Sequence, residues 1–79
     1  MIMAQEDKER YAPIVLFVYK RLNHARIVID ALLRNQEAKD SMLFIYSDAP
    51  KNEQDAAAVR SVRDYIRSVS GFKNVVITE

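Results

Sequence analysis

Ile14-Val15-Leu16-Phe17-Val18-Tyr19 and, a helix's length further on, Met42-Leu43-Phe44-Ile45-Tyr46 are the two runs on which the fold turns. Both are unbroken stretches of β-branched, aromatic and long apolar residues, a composition suited to a pleated surface. Pro13 precedes the first run at a strand start, where a missing N–H is tolerated. Alternation points Ile14, Leu16 and Val18 to one side and Val15, Phe17 and Tyr19 to the other, and sets Met42, Phe44 and Tyr46 against Leu43 and Ile45. Apolar residues on both faces mark parallel strands in a sheet covered on each side.

Between the two runs the apolar period changes. Ala25, Val28, Ile29 and Leu32 recur at steps of three and four, which places them on one helical face. A first helix is therefore expected from about His24 to about Arg34. Asn23 is its expected N-cap, Leu22 and Ile27 a hydrophobic staple, and Asn35 a left-handed closing residue. After the second run, Ser47-Asp48-Ala49-Pro50 is a turn-forming cluster. Asn52 then caps a second helix, with Glu53 and Asp55 adding negative charge where the helix dipole favours it. Val59, Val62, Ile66 and Val69 form its apolar stripe, and Arg60, Arg63 and Arg67 are expected on the wet side or the rim. Gly71, the only glycine, supplies a position able to take positive φ beyond that helix. Val75-Val76-Ile77-Thr78 is the third strand.

Strand, helix, strand, helix, strand implies crossovers, hence parallel strands. The expected fold class is α/β: a three-stranded parallel sheet in the order 3-2-1 with two helices, formed by residues 13–79, with residues 1–12 a frayed tail. Two successive right-handed crossovers in that order put both helices on one face. The other face is then bare, and an apolar sheet left open exceeds what a monomer usually exposes. A second copy of the chain, or the rest of a longer one, is expected to cover it.

Composition removes several classes of function. The chain has 79 residues, 49% of them hydrophobic and 29% charged, which fits one small folded domain. Twelve Lys and Arg against eleven Asp and Glu leave a net charge of +1, so charge does not favour nucleic acid as a partner. With no cysteine and one histidine there is neither a disulfide framework nor a zinc cluster. The longest apolar run, residues 12–19, is far short of a membrane span, and the first ten residues lack the pattern of a secretory signal. Cytoplasmic localisation is the expectation.

Open parallel sheets bind ligands at the carboxyl ends of their strands. Two loops meet that rule, Tyr19-Lys20-Arg21-Leu22-Asn23-His24 and Tyr46-Ser47-Asp48-Ala49-Pro50-Lys51-Asn52. Together they offer aromatic rings, cations, a carboxylate and helix N-terminal amides, a mixture suited to a nucleotide. Tyr19, Lys20, Arg21 and Asp48 are the candidate nucleotide-binding residues, with His24 and Ser47 as further candidates. Each also has a plain reading: Asp48 as an Asx-turn carboxylate, the tyrosine as a rim aromatic, the cations and histidine as solvated groups. Neither GxGxxG nor GxxxxGK[ST] occurs, and no catalytic triad or metal cluster can be assembled.

Phe17-Val18-Tyr19-Lys20-Arg21 with His24, Ile45-Tyr46-Ser47-Asp48-Ala49-Pro50-Lys51-Asn52-Glu53, and Gly71-Phe72-Lys73-Asn74-Val75 occur in this order. Together they resemble the opening of the family-two-like glycosyltransferases of the GT-A fold. The branch it resembles carries F-x-Y-N-R-P-x-H, F-S-D-G-P-R-N-E and G-F-K-x-V. The resemblance spans residues 12–79 and implies a partial Rossmann-like half-domain that binds a nucleoside diphosphate sugar, a UDP-sugar in the first instance. Tyr19, Lys20 and Arg21 would line the nucleotide pocket and Asp48 would bond the base. It further implies transfer of a sugar to an acceptor hydroxyl, with a divalent cation, Mg or Mn, on the diphosphate. Lys20, Leu22 and Ala49 depart from the family pattern, and the chain contains no Asp-x-Asp metal motif. The isolated chain is expected to be catalytically inactive. A different class of function, a small stand-alone α/β binding or regulatory module that homodimerises through its open sheet, fits the same strands. A receiver-like signalling domain is disfavoured, because Lys20 and Arg21 stand where its acidic cluster is expected.

Overall fold

The computed structural model describes residues 12–79. The expected tail, apart from Ala12, lies outside the described residues. Five regular elements follow in the expected alternation: β1 (Ile14–Val18), α1 (Leu22–Leu33), β2 (Met42–Ser47), α2 (Glu53–Arg67) and β3 (Asn74–Thr78). The three strands form one parallel sheet with β2 in the centre, the expected 3-2-1 order seen from its other edge. Ile14 pairs with Leu43 and Leu16 with Ile45 across β1 and β2, while Leu43 pairs with Val75 and Ile45 with Ile77 across β2 and β3.

Parallel register with period-two alternation sorts the side chains into two faces. Leu43 and Ile45 are fully buried beneath Ile29 of α1 and Val62 and Ile66 of α2, with Ile14, Leu16, Val18, Val75 and Ile77 around them. Both helices therefore cover one face, as two crossovers of the same hand require. The opposite face carries Val15 and Phe17 of β1, Met42, Phe44 and Tyr46 of β2, and Val76 of β3. Phe17 is 76% exposed there and Val15 52%. The Phe17 and Tyr46 rings stack on each other across the strands, with centroids 5.4 Å apart.

Several local expectations are corrected. Helix α1 begins at Leu22, with Arg21 at the cap position and no side-chain cap bond, so Asn23 is already inside the first turn. Its start is secured by the Ala25 N–H bonding to the Arg21 carbonyl instead. Leu22 is thus helical and Ile27 is 68% exposed, which removes the staple. Asn35 is extended, with φ −75° and ψ 137°, because a short 3-10 helix at Gln36–Asp40 follows α1. That turn buries Ala38, and the Ser41 hydroxyl donates to the Glu37 carbonyl at its end.

The second helix follows its sequence closely. Asn52 is extended and its Oδ1 accepts from the Asp55 N–H at 2.9 Å, the expected N-cap. Gly71 has φ 100°, and a Cβ there would lie 2.7 Å from Leu33 Cδ2. Helix α2 ends at Arg67, so the glycine serves the turn into β3 and the close approach of α1 rather than capping α2. Two of the three expected solvated arginines are engaged: Arg63 is largely covered, and Arg67 binds the Glu79 carboxylate through both Nε and Nη2.

Candidate functional site

At the carboxyl end of β1 a cleft of about 290 Å³ opens between the strand and α1. Leu16, Val18, Ala25 and Val28 give it an apolar wall, and Tyr19, Lys20, Arg21, His24 and Asp48 border it. Five of the six candidate residues named from the sequence thus meet at one cavity. The parallel pairing of Val18 with Ser47 sets the ends of β1 and β2 level, which is what brings Asp48 beside the Tyr19–Arg21 segment. A larger hollow of about 410 Å³ lies at the opposite, amino end of β1. It has Glu37 as the one ionisable side chain in its lining. It is also at the wrong end of a parallel sheet for the helix N-termini to contribute.

A polar network ties the two rim loops together. The Tyr19 hydroxyl donates to Asp55 Oδ2 at 3.0 Å and accepts from the Lys51 backbone N–H at 2.8 Å. Lys20 Nζ donates to Asp55 Oδ1 at 3.2 Å, and the Lys51 ammonium lies 5.5 Å from the centre of the Tyr19 ring. The Lys20 bond holds the Asp55 carboxyl below the usual aspartate range; burial pushes the other way, and the Tyr19 hydroxyl and Asn52 help to lower it. Tyr19 and Lys20 therefore act first as a brace between the end of β1 and the start of α2.

Ser47, the sixth candidate, does not border the cleft. It is 4% exposed at the end of β2, where Arg63 Nε donates to its hydroxyl at 3.0 Å and Arg63 Nη2 to its carbonyl at 3.1 Å. Buried polar groups require such partners, and this pairing explains why Arg63 leaves the wet face. Among the described residues, Arg21, His24 and Asp48 make no side-chain hydrogen bond or ion pair, and all three are exposed. These three are the groups a ligand in the cleft can engage without breaking an internal bond.

Nothing local in the sequence marks Asp55, Lys51 and Arg63 as site-forming residues. Asp55 reads there only as a helix-dipole carboxylate and Arg63 only as a surface cation. Their partners lie 36, 32 and 16 residues away, beyond any local periodicity. Among the described residues there is no group of three or more His, Asp or Glu side chains placed to hold a metal ion. No helix of the described residues is long and apolar enough to cross a membrane.

The cleft offers an apolar wall with a cation, an imidazole and a carboxylate at its mouth. That arrangement can hold a planar ring by packing and read its edge by hydrogen bonds. No family model, curated protein or solved structure matches this chain.

Proposed function

We propose that this chain is the nucleotide-binding part of a nucleoside diphosphate sugar transferase and that it binds the nucleoside portion of the donor at the carboxyl rim of its sheet. The observation that carries the reading is the convergence of Arg21, His24 and Asp48 on an apolar-walled cleft between parallel strand ends. Asp48 accepts from the edge of the base and Arg21 lies toward the ribose and first phosphate. Tyr19 and Lys20 hold the loop shape through Asp55. Sugar transfer to an acceptor hydroxyl and the divalent cation belong to the family resemblance, and this chain alone is inactive as a transferase on that reading.

Titration of the isotope-labelled chain with uridine diphosphate tests it directly. The amides of Tyr19, Arg21 and Asp48 should shift together with one dissociation constant, and Asp48→Asn should weaken binding at least fivefold while the fold remains intact. Amides that stay fixed at millimolar ligand remove the nucleotide reading.

A further inference from the structure

We infer that the hollow beside Arg60, Arg63 and Arg67 on α2 is a second ligand site, one that takes a phosphate group, either free phosphate or that of a small phosphate monoester. It shares no lining residue with the nucleotide cleft and does not depend on that reading. The three arginines follow one another at steps of three and four along the helix, which sets them on one face. They border a hollow of about 230 Å³ whose remaining walls are Pro50, Ala56 and Val59. Like charges at these spacings destabilise a helix, and guanidinium groups cannot shed their protons to relieve the repulsion. An anion held among them relieves it.

The internal bonds of the three arginines show what remains for a ligand. Arg63 is fixed: its Nε and Nη2 donate to the Ser47 hydroxyl and carbonyl, and its side chain is 20% exposed. Its Nη1 lies 3.9 Å from Glu79 Oε1, beyond hydrogen-bond length. Arg67 grips Glu79 as a fork, Nη2 to Oε1 at 2.7 Å and Nε to Oε2 at 3.0 Å, while its Nη1 reaches only the exposed Asp64 carboxylate at 3.5 Å. Arg60 makes no side-chain hydrogen bond or ion pair among the described residues and is exposed. The Arg60 guanidinium and the Nη1 groups of Arg63 and Arg67 are thus the donors open to a ligand. Glu79 shows which chemistry they suit, since the fork that holds its carboxylate is the one by which arginine holds phosphate. Glu79 neutralises one of the three positive charges, and Asp64, in water, offsets a second only in part. A phosphate group answers that surplus better than another carboxylate, because it brings about two negative charges and three acceptor oxygens.

Titration of the isotope-labelled chain with inorganic phosphate, at constant pH and with chloride holding ionic strength constant, is the test. The Nε–H signals of Arg60, Arg63 and Arg67 should shift together with one dissociation constant on the order of millimolar. Arg60→Gln should weaken binding about fivefold, and Glu79→Gln, which removes the competing carboxylate, should tighten it about threefold. Arg34→Gln, beyond the end of α1, should change nothing. Arg63 is left intact in these variants because it satisfies the buried Ser47. Methyl phosphate separates the two sources: a monoester held at least as tightly as the free ion assigns the site to organic phosphates, a weaker one assigns it to inorganic phosphate, and either result supports the site. The same shifts with chloride alone, a phosphate response confined to Arg21, or affinity unmoved by both Arg60→Gln and Glu79→Gln would each overturn the inference. None of these results bears on uridine binding at Tyr19 and Asp48, so the two readings fail separately.

Discussion

Tyr19→Phe is the perturbation that separates a structural brace from a mere rim aromatic, because it deletes one oxygen and leaves the ring in place. That oxygen donates to Asp55 at 3.0 Å and accepts from the Lys51 N–H at 2.8 Å. A hydrogen bond to a charged group contributes about 1.5–3 kcal/mol and a neutral one about 0.5–1.5. Discounts apply: the Lys51 N–H is exposed and returns to water, and Asp55 keeps its bond to Lys20. The expected loss is therefore about 1.5–2 kcal/mol. A domain of this length has a total stability of roughly 4–12 kcal/mol, so the loss is a substantial fraction of it. At about 4–8 °C per kcal/mol for a chain this size, Tm should fall by roughly 6–16 °C. With a urea m-value near 1 kcal/mol/M, the midpoint should drop by about 1.5–2 M.

The comparison that gives this number meaning is Lys20→Met. Its side chain is 49% exposed and its ammonium pairs with the same carboxylate, but surface ion pairs contribute only about 0–1 kcal/mol. Tyr19→Phe should therefore be the more damaging change by a clear margin, and faster hydrogen exchange at the Lys51 amide should accompany it. Thermal unfolding within about 2 °C of the unmodified chain, or a larger loss from Lys20→Met, would refute the idea that the tyrosine hydroxyl joins the two loops.

Asn52→Ala removes the side-chain N-cap of α2 and should cost about 1 kcal/mol, with exchange at the Asp55 amide rising first. Gly71→Ala combines a φ of 100° with a Cβ 2.7 Å from Leu33 Cδ2 and should cost more than about 1 kcal/mol. Adding Leu33→Ala relieves the overlap but not the backbone strain, so calorimetry should show no recovery to the parent value. Asp55 and Glu79 both titrate below their ordinary values of 3.8 and 4.5, Asp55 chiefly through the Lys20 hydrogen bond and Glu79 chiefly through that of Arg67. A lowered folded-state pKa means the unfolded chain takes up protons first, so this stabilisation is complete above about pH 5 and fades as pH falls below about 4. Carboxyl-carbon titrations should give midpoints below those ordinary values, and an Asp55 midpoint at or above 3.8 would contradict the assignment. Finally, uridine and uridine diphosphate should bind within about threefold of each other, with little change between low and high salt.

Strand identity was legible because unbroken apolar runs of strand length alternate with helix-period segments, and parallel pairing follows from the crossovers those helices make. The bare face was legible for the same reason: two same-handed crossovers cannot cover both sides, and the exposure of Phe17 and Tyr46 follows. The end of α1 was less so. Nothing in Asn35-Gln36-Glu37 announces a 3-10 turn, since its formation depends on burying Ala38 and on the Ser41 hydroxyl bonding to the Glu37 carbonyl. Asn23 looked like a cap because its side chain is suited to one, yet the chain reaches helical geometry a turn-position earlier at Leu22, whose side chain packs against the core. Tertiary packing there outweighs a cap preference of about 1 kcal/mol. The site was legible as a place and not as a division of roles. Lys20 and Arg21 are adjacent and chemically alike, but only Lys20 reaches Asp55.

That division bears on which part of a nucleotide the rim can hold. Of the cations beside the cleft, Lys20 is bound to Asp55 and the Lys51 ammonium sits against the Tyr19 ring, which leaves Arg21 as the cation without an internal partner among the described residues. Asp48 at the same mouth offsets its charge. A diphosphate brought to this position meets one guanidinium and one carboxylate, an arrangement close to neutral, and gains little Coulombic attraction that salt could screen. The apolar wall of Leu16, Val18, Ala25 and Val28 favours a flat ring instead, with Asp48 as acceptor at its edge. On the nucleotide reading, recognition therefore begins with the base, and the phosphates depend on charge that these residues do not supply. Tenfold tighter binding of the diphosphate than of the nucleoside would mean that Lys20 leaves Asp55 on binding, and the brace would then be a switch rather than a fixed support.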